Sequence, residues 1–182
     1  MRRALIGGVG NVLLGDDGVG PYVLRVLESQ YDFGNDVELV DLGTPALDLT
    51  HQIVGLESLI LIDSVTSDDP AGTVVLYRKE DILAEVPGER LDPHSPALSE
   101  CLMTADMIGA SPKHVLLVGI VGKNYEPGLS LSEPVCQSIA AAIDAIIQEL
   151  RRLGLPFEKK TTIERPCIWW EPSAEFGADI PL

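Results

Sequence analysis

The chain predicts an α/β fold: a three-layer α/β/α sandwich around a mostly parallel central sheet with one antiparallel edge strand. Three observations carry this. Short aliphatic runs alternate with segments of helical period. The run Leu59–Ile62 is aliphatic at every position, as in a central strand covered on both faces. The core is aliphatic, since hydrophobic residues make up 46% and aromatics only 5% of a 182-residue chain, a length that fits one domain.

Ala4–Gly8 reads as the first strand. Met1-Arg2-Arg3 and the apolar residues after it look like the start of a signal peptide, but Gly7, Gly8 and Gly10 break the run. No small-residue cleavage site precedes Asp16. Gly18–Tyr31 follows as a helix with Pro21 in its first turn and Val19, Val23, Val26 and Leu27 on one face. Val37–Leu42 is the second strand and ends at Gly43. Thr44-Pro45 opens a short helix that runs through Val54 and stops at Gly55. Leu59–Ile62 ends at Asp63. Thr73–Tyr77 is the edge strand, because its flanks are charged and its connection is short. From Lys79 the chain reads as a long loop. Ser95-Pro96 then starts a helix to Ile108, with Leu98, Cys101, Leu102, Ala105 and Ile108 inward. Val115–Val121 is the last strand. Ser132–Leu153 is the longest helix: Val135, Ile139, Ile143, Ile146, Leu150 and Leu153 form its buried stripe, and Gly154 ends it. This gives a domain over residues 1–155. Residues 156–182 form a Pro-rich tail without period, with Trp169 and Trp170 as its candidate anchors.

A formal net charge of −15 argues against nucleic acid and anionic membrane as partners, since both need a basic face. No segment approaches the roughly 18 apolar residues of a membrane span. Cys101, Cys136 and Cys167 are odd in number and widely spaced, with no CxxC pair. That spacing fits neither a disulfide framework nor a structural zinc site, and it points to a reducing, cytoplasmic setting. Cys101 and Cys136 fall on apolar helical faces and read as small core residues. No helix shows a spare apolar face, which points to a monomer in the free state.

The chemistry concentrates in Gly8-Val9-Gly10-Asn11-Val12-Leu13-Leu14-Gly15-Asp16-Asp17-Gly18-Val19-Gly20. A glycine-rich turn after a first strand ordinarily cradles a phosphate with backbone N–H groups. Here two carboxylates stand where the anion would bind, so the turn suits a cation. The dinucleotide fingerprint fails, with Leu13 in its third glycine position. G-x-S-x-G, H-E-x-x-H and a Walker-type lysine are absent, and no organic cofactor is expected.

In open parallel sheets ligands bind outside the carboxyl ends of the strands. Asp17 follows the first strand, Asp63 ends the third and His94 immediately precedes a helix. Two carboxylates and an imidazole make an incomplete divalent-ion site with open positions. Each residue also has a plain structural reading: Asp17 as a helix cap, Asp63 as a turn partner of Ser64, His94 as an exposed loop residue. Asp16 reads as a support for the site, or as holding the turn by bonding backbone N–H groups. Asp41 suits either a ribose or the turn at Gly43. His51 and His114 read as structural, the latter at the amino end of its strand.

Several segments together resemble the maturation endopeptidases of nickel–iron hydrogenases. They are Gly8-Val9-Gly10-Asn11 with Leu13 and Asp16-Asp17-Gly18-Val19-Gly20, then Asp41 with Gly43-Thr44, then Leu61-Ile62-Asp63-Ser64, then Pro93-His94 with Leu98. Leu117–Ile120 and Leu129–Ser132 also match, and the likeness spans residues 3–153. The resemblance implies an aspartyl-type peptide hydrolase that cuts a C-terminal extension from a hydrogenase large-subunit precursor after nickel insertion. It implies Asp17, Asp63 and His94 as the catalytic and metal-contacting residues, with the nickel supplied by the precursor. The first of the three is Asp in some relatives and Glu in others. The tail beyond residue 155 lies outside the likeness. The rival readings are a non-catalytic nickel-site assembly chaperone and a small-molecule metallohydrolase on the same rim.

Overall fold

Strand alternation sorts the aliphatic runs into two cores, one on each face of a sheet. The computed structural model describes residues 3–45, 49–84, 95–162 and 165–170. In chain order these form β1 (Ala4–Val9), a 3₁₀ turn (Gly15–Gly18), α1 (Val19–Gln30), β2 (Tyr31–Asp32) and β3 (Val37–Gly43). Next come α2 (Leu49–Ile53), β4 (Ser58–Val65), β5 (Val74–Arg78), α3 (Lys79–Leu83) and α4 (Ser95–Met107). The last are β6 (His114–Val121), α5 (Glu133–Leu153) and β7 (Glu158–Lys159). The main sheet has the order β3-β1-β4-β6-β5. Its pairs are parallel except for β5, which runs antiparallel against β6 at one edge.

Ile60 and Ile62 of β4 and Leu116 and Val118 of β6 pack with α1 and α5 through Val23, Leu27, Ile143, Ile146 and Leu150. Their strand neighbours Leu59, Leu61, Val115 and Leu117 face the other way, onto Ile53 of α2, Ile82 of α3 and Leu98, Leu102 and Ala105 of α4. Each such aliphatic side chain contributes about 1.5–3 kcal/mol when fully buried. This is the expected three-layer sandwich.

Local differences have local causes. Tyr31 leaves the helix and pairs with Lys159, so the tail begins with a two-residue strand, β7, that seals β2. The segment after Lys79 opens as the short helix α3, started by the Asp81 carboxylate accepting the Arg78 N–H at 2.7 Å. Five residues are too few to show a period. Ile108 is exposed because α4 stops at Met107 and Gly109 turns the chain at φ +68. Met103 and Met107 are also exposed, so α4 does carry some apolar surface outward. Cys101 is buried as expected. Cys136 is exposed, one residue off the inward stripe that starts at Val135. Gly154 ends α5 in the left-handed conformation. In the tail Trp170 is buried while Trp169 is exposed, the two rings meeting edge-on at 5.4 Å.

At the amino edge of β6 a concavity of 330 Å³ is lined by Arg78, Lys79, Glu80, Lys113, His114 and Arg152, among others. Three of its cations are held by neighbouring carboxylates. Arg152 Nη2 and Arg78 Nη1 each donate to Glu149 Oε1 at 2.7 Å, and Lys79 Nζ donates to Asp106 at 2.9 Å. Burial alone would raise the Glu149 carboxyl, but the two guanidiniums outweigh it and hold the group at about 2. A depressed carboxyl stabilises the fold above its ordinary range and loses that contribution as pH falls towards the folded value. Glu149→Gln should therefore cost roughly 1–2 kcal/mol near neutrality, after allowing for solvent around the half-exposed guanidiniums. Urea unfolding of both proteins should show that gap narrowing between pH 6 and pH 3.

Candidate active site

The strand order reverses at β1, whose neighbours β3 and β4 are reached by connections running to opposite sides. The carboxyl ends of β1 and β4 therefore flank the crevice where ligands of open α/β sheets bind. β1 stays paired with β4 as far as Gly8 opposite Ile62 and then turns away, while β4 continues against β6 to Val65. Asp63 is the first β4 residue beyond that departure. It is buried, at 3% exposure. Alternation places it on the face of Leu59 and Leu61, towards α2, α3 and α4.

The turn after β1 is built on close backbone approach. A Cβ at Gly20 would overlap Val9 O and Ile62 O, and one at Gly10, where φ is +130, would overlap Asp17 O. The glycines let the turn fold back over the strand ends. Asn11 Oδ1 accepts the Leu13 N–H at 3.0 Å and closes the tip.

The two adjacent carboxylates diverge. Asp16, fully buried, points into the protein. Its Oδ1 accepts the Ser132 N–H at 2.6 Å, and its Oδ2 accepts the N–H groups of Lys123 and Asn124 and the Ser132 hydroxyl at 2.7–2.8 Å. Burial would raise this carboxyl, but bonds from Ser132, Lys123 and Asn124 outweigh it and hold it below the usual range. It does hold backbone N–H groups as expected, but those of the 123–132 segment across the site rather than of its own turn. Ser132 spends its hydroxyl there and makes no side-chain cap for α5.

Among the described residues, Asp17, 7% exposed, takes two donors: the Asn11 N–H on Oδ2 at 2.7 Å and the Ser64 hydroxyl on Oδ1 at 3.2 Å. No side chain caps α1, so Asp17 does not act as a helix cap. The Ser64 N–H donates to Asp63 Oδ1 at 2.8 Å. One residue thus bonds both carboxylates, Asp63 through its amide and Asp17 through its hydroxyl. Ser64 lies within the motif, but the only signal it gave was a local turn with Asp63. Its reach across to Asp17 depends on the fold.

His94 lies outside the described residues, and among the described residues no three of His, Cys, Asp and Glu form a group able to hold a metal. Asp41 is exposed, accepts the Gly43 N–H at 3.1 Å and lies 3.6 Å from Arg25 Nη2, which fits the turn reading. His51 is exposed on α2, and His114 begins β6 at the amino edge, away from the carboxylates.

The site is thus an α/β sandwich with two buried carboxylates, tied through Ser64, at the switch point, and the sequence carries no G-x-S-x-G nucleophile elbow and no phosphate-binding loop. The sequence model of the hydrogenase maturation protease family, HycI, matches residues 21–149. The chain is 31% identical to the hydrogenase 2 maturation protease of Escherichia coli over 154 residues, covering 84% of this chain and 93% of that one. Its fold matches the hydrogenase maturating endopeptidase HybD of E. coli with a TM-score of 0.81 at 29% identity, over 88% of this chain and 99% of that one. It matches HybD of Thermococcus kodakarensis with a TM-score of 0.66 at 27% identity, over 82% and 99%. The chain belongs to the hydrogenase maturation protease family.

Asp16→Ala would strand four donors and leave only backbone bonds between the turn and the 123–132 segment. The expected cost is about 3 kcal/mol. Hydrogen exchange should show the amides of Lys123, Asn124 and Ser132 losing protection before those of β6.

Proposed function

We propose that this protein removes the C-terminal extension of a nickel–iron hydrogenase large-subunit precursor once nickel is in place, with Asp17, Asp63 and His94 contacting the nickel that the precursor carries. The observation that carries this reading is the pair of buried carboxylates, Asp17 and Asp63, joined through Ser64 at the switch point. His94 enters from the sequence. It immediately precedes α4, and α4 packs on the sheet face to which Asp63 belongs.

The chemistry follows from charge. Without a cation the two carboxylates repel one another, and nothing polarises a peptide carbonyl. The precursor's nickel, held by its cysteine thiolates, takes oxygen and imidazole donors from the enzyme and draws electron density from the scissile carbonyl. Water oxygen adds to the carbonyl carbon, the C–N bond breaks and the amine leaves with a proton. Lewis-acid activation of this kind contributes several kcal/mol. The enzyme alone offers only hard and borderline donors, so it holds nickel weakly and acts only on a finished nickel site. We place it in the cytoplasm as a monomer when free. Among the described residues the three cysteines form no disulfide, and no helix is long and apolar enough to cross a membrane.

Incubation with nickel-loaded and nickel-free precursor, read by mass spectrometry, tests this. Loss of a C-terminal peptide only from the loaded precursor is the expected result. An unchanged mass in a stable complex would instead mark an assembly chaperone, and metal retained by the enzyme through dialysis would mark a small-molecule metallohydrolase. His94→Ala should slow cleavage on the order of 100-fold with the fold intact by circular dichroism. Normal processing by that variant would remove His94 from the site.

A further inference from the structure

Ser64 is 1% exposed and lies on β4, where its backbone is paired opposite Ile120 of β6. It is therefore carried by the central strand of the sheet, whereas Asp17 is carried by a turn. Its hydroxyl donates across to Asp17 Oδ1, and its amide donates to Asp63 Oδ1. The remaining bond to Asp17, from the Asn11 N–H, comes from within the same turn and cannot set that turn against the sheet. Among the described residues, the Ser64 hydroxyl alone joins the Asp17 carboxylate to the strand that bears Asp63.

We propose that Ser64 is a positioning residue for cleavage: its hydroxyl fixes the Asp17 carboxylate relative to Asp63, so that both are aimed before the precursor's nickel arrives. This rests on the reading of Asp17 and Asp63 given above. A carboxylate has about four lone-pair sites, so single bonds to Ser64 and Asn11 orient Asp17 and still leave sites for a cation. A misplacement of about 1 Å in a reacting constellation is worth as much as 100-fold in rate. Freeing one of two anchors should cost less, because the Asn11 bond persists.

A buried serine that merely satisfied itself on a nearby acceptor would affect stability and leave turnover per folded molecule unchanged. The two roles separate in steady-state cleavage of nickel-loaded precursor. Ser64→Ala should lower kcat about tenfold with KM within twofold, and Ser64→Thr, which keeps the hydroxyl and suits a strand, should recover most of the loss. Melting curves run alongside confirm that each variant is folded at the assay temperature. A kcat for Ser64→Ala within twofold of the parent would overturn the proposal, as would a folded Ser64→Thr protein as slow as the alanine variant. Asp17→Asn provides the separate control. If it cleaves normally, the reading of the two carboxylates has failed, and the proposal with it; if it is inactive, only the Ser64 variants decide.

Discussion

The approach of α1 to the sheet is the contact on which the site depends. Gly20, in the first turn of α1, lies so close to Val9 and Ile62 that a Cβ would overlap their carbonyl oxygens. Gly8 of β1 answers it, with a Cβ there meeting Gly20 O at 2.7 Å. Two glycines facing one another bring a helix to backbone distance from two strands at once. The 3₁₀ turn that precedes the helix is thereby pressed over the ends of β1 and β4, and it brings Asp17 to Ser64 of β4. Side-chain packing at that junction would have held the helix several ångströms further out, and Asp17 with it.

Charge then organises what the glycines bring together. A buried carboxylate is costly unless donors replace its water, and Asp16 collects four of them from Lys123, Asn124 and Ser132. Those residues belong to the connection from β6 to α5. Further backbone bonds join the same two segments: Gly15 N–H to Gly128 O at 2.9 Å, and Gly128 N–H to Leu13 O at 2.9 Å. One wall of the crevice is thus tied to its floor by a charge that never meets solvent. The fixed bond geometry of this tie explains why a rim built from a nine-residue glycine turn and an irregular connection can hold one shape.

Much of this was legible in the sequence, for physical reasons that differ element by element. The aliphatic run at Leu59–Ile62 announced a strand covered on both faces, and the stripe from Val135 to Leu153 announced a long amphipathic helix, because burial leaves a period. Asp17 and Asp63 were legible because both fall at the carboxyl ends of strands on one rim, although each taken singly also reads as a cap or turn residue. α3 and β7 were not, because five and two residues carry no period. Ile108 was misplaced because helical spacing continues on paper after Gly109 has already ended the helix. The role of Ser64 escaped for a deeper reason: its partner at Asp17 is 47 positions away. Nothing local marks a side chain whose only distinction is what the fold sets beside it.

Asp16 and Asp17 are adjacent and chemically identical, so their different fates come wholly from geometry. In a 3₁₀ turn successive residues point about 120° apart, so two neighbours cannot face the same way. One must turn inward to the 123–132 segment and the other towards β4. The inward residue takes four donors, which fill the roughly four lone-pair sites of a carboxylate and leave it nothing to offer a cation. The outward residue takes two and keeps the rest. A doubled aspartate at this turn is therefore not a doubled ligand. The first secures the wall, and the security of that wall is what allows the second to remain incompletely bonded in a buried place.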